Sequence, residues 1–111
     1  MHEMTIIANV LEIAHRQAAG AGAARINRVV LEVGRLAGVE IDALRFCFGA
    51  ARNGASADSE LEVREVPGRG SCPTCGATED VAELAAVCGA CGNVLEISGG
   101  RELRVLSLNV D

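Results

Sequence analysis

The chain has 111 residues, half of them hydrophobic, and its 10 Lys and Arg against 15 Asp and Glu give a formal net charge of −5. This length suits one domain with a small appendage. The acidic balance, with two Phe and no Tyr or Trp, argues against nucleic-acid binding, which needs a basic face and stacking rings. With no apolar run of about 18 residues and no signal-peptide pattern, we expect no membrane association and a cytoplasmic location.

The first predicted element is a helix over residues 4–19. Its apolar residues recur at helical spacing, Thr5 is a candidate N-cap, and Gly20 ends the pattern. His15 falls on this helix beside a charged residue, so we expect it on the surface.

The next elements alternate between strands and a second helix. The β-branched residues 26–33 and the alternating residues 61–66 predict strands, and residues 40–52 predict a helix between them. Residues 94–98 and 101–110 are two further strand patterns separated by Gly-Gly, which predicts a tight hairpin. Because the last run is long, its far end is expected to pair with the first sheet.

Two Cys-x-x-Cys-Gly motifs stand between these patterns, separated by residues 76–87. They contain four of the five cysteines: Cys72, Cys75, Cys88 and Cys91. Two residues between cysteines form a turn that directs both sulfurs to one point, and two such turns complete a tetrahedron, which predicts a structural Zn(Cys)4 site. Residues 67–100 form a module below the roughly 40 residues at which a metal or disulfides are usually needed, so zinc is expected to supply much of its folding energy.

Two other uses of the cysteines are an iron site of rubredoxin type and a reversible dithiol pair. The absence of an export signal favours metal binding over disulfides. Four cysteine ligands leave no open coordination position, so the zinc is expected to be structural rather than catalytic. The fifth cysteine, Cys47, is expected to be a core thiol. No catalytic constellation is visible, and we expect no enzyme activity.

The chain begins Met1-His2-Glu3, which places an imidazole one residue from an amino group. His2 is large, so Met1 is expected to be retained. The Met1 amine, the amide nitrogen of His2 and its Nδ1 can wrap a metal in fused chelate rings, and the Glu3 amide is a further nitrogen donor. Such nitrogen sets suit Ni(II) or Cu(II), which favour square-planar geometry.

Five stretches together resemble the HypA family of hydrogenase and urease nickel-incorporation proteins. They are "MHEM", "RVVLEVGRLAGVEIDALRFCF", "LEVREVPGRGSCPTCG", "CGACG" and "GGRELRVLSLNV". The stretches occur in this order and cover nearly the whole chain.

The resemblance implies a nickel metallochaperone with a structural zinc. It makes His2 the essential nickel ligand, with the Met1 amine and the Glu3 backbone as co-ligands, and makes the four motif cysteines the zinc ligands. It also implies two partners, a nickel-handling maturation GTPase and the hydrogenase large subunit, with urease maturation as a further role in some members. The alternative from the residues alone is a zinc-ribbon module that binds protein or nucleic acid.

The expected fold is α+β, with two helices packed on a small mixed sheet and an inserted zinc-ribbon-like module. Residues 1–66 plus 101–111 form the predicted nickel-binding domain, and residues 67–100 form the zinc-binding module. The linkers between them permit exchange of elements between chains, which leaves a homodimer open.

Overall fold

The computed structural model describes residues 2–111. Over this range it has the predicted α+β composition. In chain order its elements are α1 (Glu3–Gly20), β1 (Ile26–Gly34), α2 (Ile41–Ala51), a 3-10 turn (Gly54–Ser56), β2 (Glu60–Val66), β3 (Arg69–Ser71), β4 (Thr78–Asp80), β5 (Glu96–Gly99) and β6 (Leu103–Val110). None of the helices between residues 2 and 111 combines the length and the apolar character needed to cross a membrane.

The chain divides into two compact units. The first, called the helical unit, comprises the residues up to Glu32, Val39–Arg64 and Arg104–Asp111. The second, called the cysteine unit, comprises Val33–Gly38 and Glu65–Leu103. Each unit is therefore assembled from separated stretches of sequence.

The first sheet has the strand order β2-β1-β6, as predicted from residues 26–33, 61–66 and 101–110. Side-chain bonds join Asn27 to Asn109 and Glu32 to Arg104, so residue numbers fall along β6 as they rise along β1. These two strands are therefore antiparallel, and β6 forms one edge of the sheet.

The core of the helical unit follows the apolar periodicity of its sequence. Helices α1 and α2 pack against each other. The buried hydrophobic side chains of this unit are Ile7, Val10, Leu11, Ala14, Ala18, Ile26, Val29, Val30, Leu31, Leu44 and Phe48. Removing a fully buried Leu or Ile from such a core typically costs about 2–5 kcal/mol.

Helix α1 begins two residues before the predicted cap. Its N-cap is His2, whose carbonyl accepts hydrogen bonds from the N–H groups of Thr5 (3.1 Å) and Ile6 (3.2 Å). Thr5 therefore lies inside the first turn, and its prediction as the N-cap was wrong. The imidazole of His2 makes no capping hydrogen bond.

The second sheet belongs to the cysteine unit and has the order β4-β3-β5. Strand β3 pairs antiparallel with both neighbours, and Gly70 lies opposite Glu79 on one side and Ile97 on the other. The predicted hairpin between residues 94–98 and 101–110 is wrong, because β5 pairs with β3 while β6 pairs with β1. The expectation that the last strand joins the first sheet is confirmed.

Close backbone contacts at Gly100 explain why the Gly-Gly pair does not form a hairpin turn. Its φ of +106° lies in a region that favours glycine, and its carbonyl accepts the N–H of Leu36 at 2.7 Å. A side chain at Gly34 would collide with this same carbonyl. The glycine at position 100 thus permits a close approach between its own backbone and that of residues 34–36.

Candidate metal centre and the start of the chain

The four motif cysteines converge on one point, with all four sulfurs within 4.8 Å of one another. The Sγ atoms of Cys72 and Cys91 are 3.4 Å apart, and those of Cys75 and Cys88 are 3.7 Å apart. A tetrahedron with Zn–S bonds of about 2.3 Å has edges of about 3.8 Å. The cluster therefore has the size of a four-sulfur site that could hold a metal ion such as zinc.

Both motifs fold by the same hydrogen bonds. In the first, the N–H of Cys72 donates to the carbonyl of Ala77 (2.8 Å), and the N–H of Gly76 donates to the carbonyl of Cys72 (2.9 Å). In the second, Cys88 donates to Asn93 (2.7 Å) and Gly92 donates to Cys88 (2.8 Å). The cluster is therefore built from two equivalent turns, each contributing two sulfurs.

A glycine after each second cysteine makes these turns possible. Gly76 has a φ of +77° and Gly92 a φ of +79°, a left-handed conformation that side chains disfavour. A Cβ at either position would meet nothing within 4 Å. The requirement for glycine is therefore conformational rather than steric.

Each motif places its first cysteine inward and its second outward. Cys72 and Cys88 are buried, whereas Cys75 and Cys91 are exposed. The buried pair packs into a small core with Val81 and Leu95, so half of the cluster is part of the interior of the cysteine unit.

The sulfurs of Cys72 and Cys75 differ in pKa because they meet different backbone N–H groups and neighbouring sulfurs. The backbone N–H of Cys75 lowers the pKa of Cys72 to about 6. The N–H of Ala77 favours the Cys75 thiolate, but the neighbouring sulfurs of Cys72 and Cys88 raise the pKa of that thiol to about 11. The Cys72 thiol therefore loses its proton readily, and the resulting negative charge disfavours ionisation of the neighbouring thiols. A bound cation would offset the repulsion among four thiolates and so allow all four to ionise.

His2 and Glu3 lie at the N-terminal end of α1, and Glu3 lies beside the start of α2. His2 is exposed. The side chain of Glu3 accepts a hydrogen bond from the N–H of Glu40 at 3.3 Å, which holds the pKa of the Glu3 carboxyl below its ordinary value. The structure thus describes two of the three predicted nickel-site residues. Met1 lies outside the described residues.

His15 is placed differently from the sequence prediction. It is half-buried, and its Nε2 lies 2.8 Å from the Oγ of Ser56. Ser56 is fully buried in the 3-10 turn, where its hydroxyl also donates to the carbonyl of Asn53 at 2.8 Å. The expected surface position was wrong. The contact joins residues 41 positions apart, and such a contact leaves no pattern in the local sequence from which it could be predicted.

Comparison with known proteins gives matches along the whole chain. Residues 1–110 match the family described as "Hydrogenase/urease nickel incorporation, metallochaperone, hypA". The hydrogenase maturation factor HypA of Chlorobaculum tepidum is 45% identical, and that of Rhodopseudomonas palustris strain TIE-1 is 42% identical, each covering 100% of both chains.

Solved structures agree in fold. The solution structure of the Ni metallochaperone HypA from Helicobacter pylori superposes with a TM-score of 0.70 at 24% identity, covering 99% of this chain and 97% of that one. A second solution structure of a HypA protein gives a TM-score of 0.73, also at 24% identity, with 99% and 96% covered. The predicted fold class and resemblance are both confirmed, and this chain belongs to the HypA family of metallochaperones, which are maturation factors rather than enzymes.

Proposed function

We propose that this chain is a nickel metallochaperone that binds Ni(II) at its N-terminus and delivers it during [NiFe]-hydrogenase maturation. The observation that carries the proposal is the position of His2. It is exposed at the N-cap of α1, its carbonyl is engaged by the helix, and its imidazole makes no capping bond. The ring is therefore available to a metal without any loss of helix structure.

The backbone nitrogens beside His2 are also available. The first N–H groups of a helix have no carbonyl acceptor one turn earlier, so the amides of His2 and Glu3 can lose their protons without breaking a helical hydrogen bond. The Met1 amine, the His2 amide and the His2 Nδ1 then form two fused chelate rings, and the Glu3 backbone nitrogen is the further co-ligand. Ni(II) suits such a planar nitrogen set.

Electrostatics at this end of the helix support an amide-bound metal. The N-terminus of a helix carries a partial positive charge, which disfavours a bare cation. Each deprotonated amide cancels one positive charge of the nickel ion, so the complex with both amides carries no net charge. The same helix field favours loss of the amide protons.

The four motif cysteines are proposed to hold a structural Zn(II). Support comes from the size of the cluster, its two equivalent turns, and the burial of Cys72 and Cys88 beside Val81 and Leu95. When bound, zinc would fix the two turns to each other as thiolate ligands. The cysteine unit has only a small apolar core, so its stability would depend on that ion.

Delivery requires partners. We propose a nickel-handling maturation GTPase and the hydrogenase large subunit as the proteins that this chain meets, in the cytoplasm, with urease maturation and a homodimer as further possibilities within the same function. The family description names hydrogenase and urease together, and the related chains are named hydrogenase maturation factors.

Nickel K-edge absorption spectroscopy on untagged protein tests the nickel site. We expect a planar, nitrogen-rich nickel spectrum with imidazole scattering, and loss of both features in His2→Ala. His15→Ala is the matched control, because its ring nitrogen is already engaged by Ser56. An unchanged spectrum in His2→Ala would overturn the proposed site.

A further inference from the structure

The two exposed cysteines of the cluster, Cys75 and Cys91, differ in the side chain that lies two residues further along. After Cys75 it is Ala77, and after Cys91 it is Asn93. The side-chain amide of Asn93 donates a hydrogen bond to the Sγ of Cys91 at 3.5 Å. Within residues 2–111, no amide, hydroxyl or cationic side chain donates to the Sγ of Cys75. The two exposed sulfurs therefore have unequal surroundings.

The backbone, in contrast, treats these two sulfurs alike. The N–H of Ala77 donates to Cys75, and the N–H of Asn93 donates to Cys91. The side-chain bond at Cys91 is therefore an additional one. A hydrogen bond to a thiolate withdraws electron density from the sulfur and occupies one of its lone pairs, which makes the sulfur less nucleophilic.

Solvent access limits attack on the cluster to the same two sulfurs. Cys72 and Cys88 are buried, so a reagent in solution meets the exposed pair first. All four sulfurs are thiolates when zinc is bound, so proton loss does not rank them in that state. Access selects the exposed pair, and the Asn93 hydrogen bond leaves Cys75 as the more reactive of the two.

We propose that Cys75 is the modification site of the zinc-loaded cluster, the thiolate that a soft electrophile or a peroxide attacks first. The inference rests on the structural zinc proposed above. With hydrogen peroxide, the sulfur of Cys75 forms an S–O bond while the O–O bond breaks and hydroxide leaves, so the thiolate is oxidised to a sulfenic acid and the peroxide is reduced. The thiolate of Cys88, whose Sγ is 3.7 Å away, then attacks the sulfenic sulfur. An S–S bond forms and a second hydroxide leaves.

These two steps remove two ligands from the cluster. Neither a sulfenic acid nor a disulfide carries the thiolate charge that binds a metal. Only Cys72 and Cys91 then remain as thiolates, and the two turns are no longer fixed to each other by zinc. The cysteine unit should therefore lose stability under peroxide and regain it when a thiol reductant and zinc are added.

The test uses the zinc-loaded full chain carrying Cys47→Ser, which removes the cysteine outside the cluster. The protein is treated briefly with N-ethylmaleimide, and mass spectrometry of fragments cleaved between the two motifs locates the label. We expect Cys75 to be labelled about five-fold or more faster than Cys91, as one extra hydrogen bond at Cys91 implies. Asn93→Ala should raise the labelling rate of Cys91 to that of Cys75.

Thr74→Ala is the matched control for the Asn93 variant. Thr74 directly precedes Cys75 at the place where the second motif has Ala90, and it is exposed. The substitution makes the two motifs alike at this position and leaves the Asn93 hydrogen bond intact. Cys75 should therefore still be labelled first.

The order of labelling decides the proposal even without a variant at Asn93. Labelling of Cys91 before or together with Cys75 would overturn it, as would an unchanged Cys91 rate in Asn93→Ala. Under hydrogen peroxide, we expect the first disulfide to contain Cys75 and zinc to be released with it, whereas a first disulfide between Cys72 and Cys91 would contradict the proposal. Metal analysis before labelling separates the two proposals. A chain without zinc would overturn the zinc site and this inference together, whereas one zinc per chain with Cys91 labelled first would overturn only the inference.

Discussion

The cysteine cluster and the start of the chain are the two proposed metal-binding regions, and they are built in opposite ways. At the cluster, each motif is closed by two backbone hydrogen bonds of 2.7–2.9 Å, and two of the four sulfurs are buried. At the start of the chain, His2 is exposed and its ring makes no capping bond. The first region thus holds its donor atoms within a folded unit, whereas the second presents its donors on an exposed chain segment.

This contrast matches the two proposed uses of metal. A metal that stays with the protein gains from ligands that are buried in a folded unit, because its loss would require that unit to unfold. A metal that must be handed on needs an accessible site whose ligands can be exchanged. We therefore expect zinc to be held through folding and nickel to be held only until transfer.

The largest expected effect is the loss of a buried cluster ligand. Cys88→Ser should abolish stoichiometric zinc and unfold the cysteine unit, because a structural zinc supplies on the order of 10 kcal/mol of folding energy. Metal analysis and the dispersion of amide NMR signals from residues 65–103 measure this. Cys47→Ser is the matched control, since Cys47 is a half-buried thiol of α2 outside the cluster. Retention of one zinc per chain by Cys88→Ser would contradict the assignment.

The next effect concerns the start of the chain. A Gly-Ser extension ahead of Met1 converts the amine into an amide and should weaken nickel binding at least about 100-fold, or about 2.7 kcal/mol. The same extension placed after Asp111 should leave nickel binding unchanged. Calorimetric titration of both proteins makes the comparison, and equal affinities would rule out the terminal amine as a ligand. Zinc content should be the same in both.

Local patterns predicted the local elements well. The helical spacing of Ile7, Val10 and Leu11 placed α1 within about one residue, and the Cys-x-x-Cys-Gly motifs indicated a cluster that the structure assembles. Each of these patterns reports a periodicity or a turn that acts over a few residues. The four sulfurs could be grouped because one metal geometry explains both motifs at once.

Long-range contacts could not be predicted in the same way. The sheet to which residues 96–99 belong depends on Arg69–Ser71, a stretch whose sequence carries no strand pattern. The bond between His15 and Ser56 likewise depends on tertiary packing. The predicted division into residues 1–66 plus 101–111 and 67–100 stays a prediction, as do the individual metal ligands.

A smaller effect tests how the cluster is shaped. Gly76→Ala should destabilise the zinc-bound cysteine unit by about 1–2 kcal/mol, because its φ of +77° is left-handed. Gly89→Ala is the control within the other motif. A Cβ there would meet only the carboxylate oxygens of Glu79, the nearer at 3.5 Å, which is an ordinary contact. Competition with a chromophoric chelator compares the two. Equal zinc retention by Gly76→Ala and Gly89→Ala would mean that the left-handed conformation at Gly76 does not stabilise the turn.

The smallest effect distinguishes a backbone from a side-chain ligand at Glu3. If this residue contributes its amide nitrogen, Glu3→Gln should change nickel affinity by no more than about three-fold, or about 0.7 kcal/mol. The glutamine carbonyl can still accept the N–H of Glu40 that the carboxylate now accepts at 3.3 Å, so the start of α1 keeps its neighbour. A ten-fold or greater loss would instead identify the carboxylate as the nickel ligand. In that case the site at the start of the chain would rely on oriented side chains, as the cysteine cluster does, and the contrast between the two regions would narrow.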